Sequence, residues 1–206
     1  MPFLSTEQVA RLFPHLKWPQ KEASKYLKEL ERQKMIEGYD RKIGESKIWR
    51  ITLKAKKEYG VEKRAVPFTV RNMAHHLALA DCYLDLREMG GNWIEGELRE
   101  EFTNRLEKKR KYCPDAFFVY RNQPYFLELQ RSYLSRMNWS EKWKIANEFF
   151  HEGHHLSCSV AKFLQEKSAI PIVVVTDQKE NVAETGARVP LIVLKSFKDL
   201  EKKEWI

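Results

Sequence analysis

A chain of 206 residues that is 43% hydrophobic and 12% aromatic has room for one large domain or two small ones, and it is too apolar to be disordered. No apolar run approaches the ~20 residues that span a bilayer. The N-terminus lacks the basic and apolar segments of a secretory signal, and Cys82, Cys113 and Cys158 have no disulfide-framework spacing, so a cytoplasmic protein with no membrane partner is expected. The net charge of +8 is unevenly placed: residues 1–71 hold 17 Lys/Arg against 9 Asp/Glu, and residues 72–206 hold 20 against 20. A basic module joined to a neutral one points to a polyanion partner for the first.

The chain opens with a capping box, Ser5 with Gln8 three residues on, followed by Val9, Leu12 and Phe13 on one helical face. After Pro14 and Pro19 a second helix is expected over 20–34. Its inner stripe is Ala23, Tyr26, Leu27 and Leu30, and Lys21, Ser24, Lys25 and Lys28 lie on the opposite side. Two stretches of strand character, "EGYDRKI" and "SKIWRITL", follow around Gly44. Helix, turn, helix and hairpin describe a winged helix-turn-helix over residues 1–66.

A charged connector and Pro67 lead to a helix over residues 70–89, stopped by Gly90-Gly91. Trp93, Ile94 and Leu98 follow around Glu95 and Glu97, and then a polar stretch, "REEFTNRLEKKRKY". "DAFFVY" and "PYFLEL" read as strands with a turn at Asn122-Gln123. Alternation places Tyr125, Leu127 and Leu129 on one face, and Phe126, Glu128 and Gln130 on the other. A helix, "MNWSEKWKIANEFF", precedes the buried strand "AIPIVVVTD". "QKENVAETGA" is expected to be helical and "VPLIVLKSF" to be the last strand. The overall class is α/β (α+β for the whole chain), with residues 67–206 an α/β/α sandwich around a mixed sheet.

Asp115 and Glu128 are the chemistry-bearing pair. Carboxylates on adjacent strands can share one divalent cation, Mg or Mn by their preference for oxygen. Such a cation polarises a phosphodiester and activates water, with a lysine or similar group two residues beyond the glutamate orienting the water and offsetting the developing charge. "HEGHH" at 151–155 contains the H-E-x-x-H spacing of zinc proteases, but Gly153 is a poor helix-interior residue. Zinc is disfavoured, and the stretch reads as the polar end of the preceding helix.

Three resemblances sharpen the reading. Residues 4–60 resemble the winged helix of prokaryotic DNA-binding proteins, through the ending "LKELERQKMI" of the second helix and the segment "WRITLKAKK". That likeness implies double-stranded DNA contact by Gln20, Lys21, Ser24, Lys25 and Lys28 on the helix and by Arg41, Lys42 and Lys47 on the wing. Lysine-rich contacts of this kind favour phosphates over base edges. Pro114-Asp115 and Glu128-Leu129-Gln130 resemble the PD-(D/E)xK nucleases, with Gln130 where lysine is expected and Glu95 as the further acidic residue, Glu97 being the close alternative. The catalytic set implied is Glu95, Asp115, Glu128 and Gln130, with the first three as metal ligands. Arg131, Arg136, Lys142 and Lys144 are placed to approach a phosphate backbone.

The whole chain resembles the replication-relaxation family of bacterial plasmids, integrative elements and phages. The resemblance runs through His76-Leu77-Ala78 with Asp81 and Tyr83, through Cys113-Pro114-Asp115-Ala116, and through Phe126-Leu127-Glu128-Leu129-Gln130-Arg131-Ser132. It implies a DNA-binding replication or mobilisation accessory with a nuclease-like domain. Two alternatives stay open: an active Mg- or Mn-dependent endonuclease or nickase, and a transcriptional regulator that forms a homodimer through its second domain.

Overall fold

Ser5 starts the first helix as its spacing requires. Its hydroxyl accepts from the Gln8 N–H at 3.1 Å, and the Gln8 side-chain oxygen accepts from the Ser5 N–H at 2.9 Å. The computed structural model describes residues 3–17, 19–41, 45–60, 69–131, 133–164, 170–178, 182 and 186–202. The chain divides into two compact units, Met1–Leu84 and Asp85–Ile206. The boundary expected after residue 66 lies outside the described residues. No helix among the described residues is long and apolar enough to cross a membrane.

The first unit runs β1 (Phe3–Ser5), α1 (Thr6–Leu12), α2 (Gln20–Arg32), β2 (Ile36–Tyr39), β3 (Ile48–Ile51) and α3 (Leu53–Glu58), and it includes most of α4 (Val70–Glu88). The strands form an antiparallel sheet in the order β1-β3-β2. This succession of helices and hairpin is consistent with a winged helix. Val9, Leu27 and Trp49 make its small core, and the Trp49 indole N–H donates to Thr6 Oγ1 at 2.9 Å. The Gln8 amide nitrogen donates to the Leu77 carbonyl at 2.8 Å and to Asp81 at 2.7 Å, which ties α1 to α4. Tyr26 departs from the expected inner stripe and is 51% exposed. At 100° per residue it sits at the rim of the narrow Ala23–Leu27 stripe, where a ring with a polar tip can remain wet.

The second unit is built on a five-stranded mixed sheet in the order β10-β9-β8-β7-β4. Its strands are β4 (Asn92–Gly96), β7 (Ala116–Tyr120), β8 (Gln123–Gln130), β9 (Ile172–Thr176) and β10 (Leu191–Leu194). The β4–β7 and β7–β8 pairs are antiparallel, and the β8–β9 and β9–β10 pairs are parallel. All of β9 is buried, as its unbroken apolar run requires. The β7–β8 turn falls one residue earlier than expected. Arg121 and Asn122 are both left-handed, at φ 49° and 60°, and Gln123 pairs with Tyr120. This is the two-residue loop whose twist suits a tight hairpin.

The helix α5 (Arg136–His151) covers one sheet face. It is capped by Ser135, whose hydroxyl accepts from the Asn138 N–H. Trp139, Trp143, Ala146, Phe149 and Phe150 pack on Phe117, Phe126, Ile172 and Val174. On the other face Phe118 stacks on Tyr125, with Phe197 edge-on to Phe118. The stretch expected as a polar connector is instead a separate hairpin, β5 (Glu100–Thr103) with β6 (Lys109–Tyr112). Its charges mask a strand alternation in which Phe102 and Tyr112 pack on Phe149. The helix expected at 178–187 lies largely outside the described residues. Helix α5 ends at His151 and Gly153 is left-handed at φ 81°, so His151 and His155 do not share one helix.

Candidate active site

Both carboxylates lie near one end of the antiparallel β7–β8 pair. Ala116 pairs with Leu127, and the Asp115 N–H donates to the Leu127 carbonyl at 2.9 Å. Asp115 thus lies just past the last paired residue of β7, near the end of β8 that carries Glu128. Asp115 Oδ2 accepts from the Leu129 N–H at 2.7 Å, which fixes its carboxylate against β8. Glu128 is buried, with a relative exposure of 1%, and it is level with Val174 of the buried strand β9.

Burying a carboxylate among Phe, Ile and Val side chains is costly unless a cation accompanies it. The cation is Lys142, reached from α5, whose ammonium contacts Glu128 Oε2. Trp139 lies one turn earlier on the helix, with the Lys142 ammonium 5.7 Å from its ring centroid, and it stacks on Trp143 at 5.2 Å. Burial works against the Lys142 ammonium, but the Glu128 and Asp115 carboxylates outweigh it and hold its pKa above the ordinary lysine value. Burial, and behind it the same two carboxylates, pushes the Tyr112 hydroxyl well above its usual range. Burial likewise raises the Cys113 thiol beside the site.

The structure brings Asp115 and Glu128 together and adds Lys142. Glu95 is exposed and level with Phe117, just past a bulge in β4. Glu97 is left-handed at φ 56° and donates its N–H to the Asp115 carbonyl at 2.7 Å. No group of three or more His, Cys, Asp or Glu side chains that could hold a metal is gathered among the described residues. Gln130 is level with Thr176 at the end of β8. Arg131 and Arg136 are exposed on either side of the turn into α5. From the sequence, Lys142 is expected only to approach a phosphate backbone. The signal for its place was its position three residues after Trp139 and one before Trp143, on the flank of the buried stripe.

In the first unit Lys21, Lys25 and Lys28 share the exposed side of α2, with Lys25 paired to Glu22 at 2.8 Å. Gln20 donates to Ser46 Oγ at 2.8 Å, and Ser24 is half-buried. Arg41 pairs with Glu45 at 2.8 Å. Lys47 turns inward, 3.2 Å from Glu31 and over the Trp49 ring. Lys42 lies outside the described residues.

A helix-and-hairpin unit followed by a mixed sheet with a carboxylate pair is an arrangement consistent with a winged helix joined to a nuclease-like α/β domain. The sequence profile of the replication-relaxation family matches residues 1–161, and the chain belongs to that family. No curated protein matches the chain at a significant level. Among solved structures, the crystal structure of protein VC1899 from Vibrio cholerae is similar at a TM-score of 0.35 and 12% identity, over 96% of this chain and 48% of that one. The chain thus spans about half the length of that protein.

Proposed function

We propose that this chain is a DNA-binding accessory of mobile-element replication or mobilisation, and that its second unit carries a phosphodiester-cleaving centre of Asp115, Glu128 and Lys142. The observation that carries the proposal is the Lys142 ammonium on the buried Glu128 carboxylate, with the Asp115 carboxylate acting on the same ammonium. This restores, from a helix, the positive charge that Gln130 does not supply. Asp115 and Glu128 offer the oxygen donors that Mg or Mn takes, and Mg is commonly held by one or two carboxylates together with substrate phosphate. When bound, such an ion would polarise the phosphodiester and activate water. Lys142, kept protonated by its two carboxylates, would offset charge developing on the phosphoryl oxygens. Gln130 would orient groups by hydrogen bonding without adding charge.

For the first unit, Gln20 and the exposed lysines of α2 support contact with duplex DNA, mainly through its phosphates. A second reading, binding without cleavage, is favoured by Gln130, which stands where the PD-(D/E)xK pattern has lysine and adds no charge. The two are separated by incubating the full chain with supercoiled, linear, single-stranded and branched DNA in Mg or Mn. Cleavage that disappears in Asp115→Ala and Glu128→Ala, with binding retained, is the expected result. No cleavage on any DNA form leaves the binding role alone.

A further inference from the structure

The charged hairpin β5–β6 has no role in the centre just described, and it is built in an unusual way. Residues 99–112 hold six Lys/Arg against three Asp/Glu, inside a stretch, 72–206, that is neutral overall. Arg105, Lys108 and Lys109 are exposed at the tip beside Glu107, and Leu106 between them is 72% exposed. A single exposed leucine is ordinary, but this one is held out by a fixed turn. The buried Asn104 side chain accepts from the Leu106 N–H at 3.1 Å and from the Lys108 N–H at 3.0 Å. The Glu107 N–H donates to the Asn104 carbonyl at 2.8 Å, with Glu107 left-handed at φ 58°.

Helix α5 then anchors the turn. Glu148 accepts from the Asn104 amide at 3.1 Å and from Arg110 at 3.1 Å, and Glu152 accepts from the Arg105 N–H at 3.0 Å. Below the tip, Phe102 and Tyr112 pack on Phe149. The result is a rigid, docked ribbon that presents an apolar residue between cations. Rigid apolar wedges flanked by Arg and Lys are how architectural proteins enter the minor groove, unstack a base step and kink the duplex.

We propose that the β5–β6 hairpin is a DNA-bending element, with Leu106 as the wedge and Arg105, Lys108 and Lys109 as phosphate contacts; this rests on the duplex-DNA reading of the preceding section. The far end of β6 runs through Tyr112 and Cys113 directly into Asp115. From Tyr112 to Lys108 the ribbon covers about 14 Å at ~3.4 Å per residue. That equals about four base-pair steps at 3.4 Å each. A kink made by Leu106 therefore falls a few base pairs from the phosphate presented to Asp115 and Glu128, where bent and unstacked DNA exposes the backbone.

The test uses the full chain and a duplex of about 30 bp labelled at both ends for energy transfer, with anisotropy read across a salt series. The wild type shortens the end-to-end distance on binding. Leu106→Ser abolishes the shortening while leaving affinity within about threefold and the salt slope unchanged. Arg105→Glu/Lys108→Glu/Lys109→Glu weakens binding at least about tenfold and lowers the log–log salt slope by about 2 to 3. The control, Lys162→Glu/Arg188→Glu/Lys195→Glu, changes affinity by less than about threefold. Wild-type binding without shortening, shortening that survives in Leu106→Ser, or equal losses in hairpin and control variants overturns the bending role and leaves the duplex-DNA reading intact. Absence of binding by the wild type overturns both.

Discussion

The Lys142 ammonium rests on the Glu128 carboxylate, a side chain 1% exposed in the middle of a parallel strand pair. Neither charge would be stable there alone. Removing the lysine leaves a buried uncompensated carboxylate, which costs about 3 to 5 kcal/mol. Lys142→Met should therefore lower unfolding stability by that order, read from the urea midpoint at constant slope. Combining it with Glu128→Gln should recover most of the loss, because the pair is coupled and its double-mutant cycle does not add. Additive losses would show that the pairing has no energetic weight.

Alkaline pH should act on the same region. Tyr112 and Lys142 both have folded-state pKa values above their ordinary ones, so the folded state holds these protons more tightly than the unfolded chain. Their contribution is complete below about pH 10 and is lost as pH rises through the folded values. Stability should fall steeply above that point. Tyr112→Phe should flatten the fall and cost about 0 to 1 kcal/mol near neutrality, because the Tyr112 hydroxyl is buried without a hydrogen-bond partner among the described residues. Denaturant titrations at several alkaline pH values read both effects.

Gln130→Lys tests whether the helix-borne lysine substitutes for one on the strand. With Lys142 already at Glu128, a second ammonium two residues along β8 should give no more than about twofold in cleavage rate. Lys142→Met should reduce that rate by about 100-fold or more if the ammonium stabilises developing charge. If Gln130→Lys raises the rate tenfold in the wild-type background, Lys142 does not fill that role.

On the first unit, the lysines separate by environment. Lys21→Glu/Lys25→Glu/Lys28→Glu should weaken duplex binding at least about tenfold, with a smaller salt slope, and leave the melting temperature nearly unchanged. Lys47→Ala should do the reverse. Its ammonium lies 3.2 Å from Glu31 and over Trp49, so its loss should lower stability by about 1 kcal/mol with little effect on binding.

A capping substitution gives a check independent of DNA. Ser135 caps α5, the helix that carries Lys142. Ser135→Ala should cost about 1 kcal/mol, whereas Ser135→Asp should retain the cap, as read by thermal melts.

Much of this chain could be read from local pattern. The Ser5–Gln8 box, the long helix ending at Gly90, the apolar run of β9 and the Asp115 and Glu128 strands all depend on residues three or four apart, or on strict alternation, and such spacing encodes which face an element buries. The alternation of β5–β6 was present too, but Lys and Arg at outward positions disguised it as a connector. Tyr26 and the Arg121–Asn122 turn were displaced by one step of periodicity, enough to move a side chain from core to rim.

Sequence alone determined most of the elements, the concentration of positive charge in the first third, and the two carboxylates of the second unit. Tertiary structure decided their company. Strand pairing fixed Asp115 against β8 through the Leu129 N–H, helix packing delivered Lys142 from fourteen residues downstream of Glu128, and the Glu31 carboxylate drew Lys47 inward. Contacts between elements follow from how buried faces fit together, and no spacing along the chain records that fit.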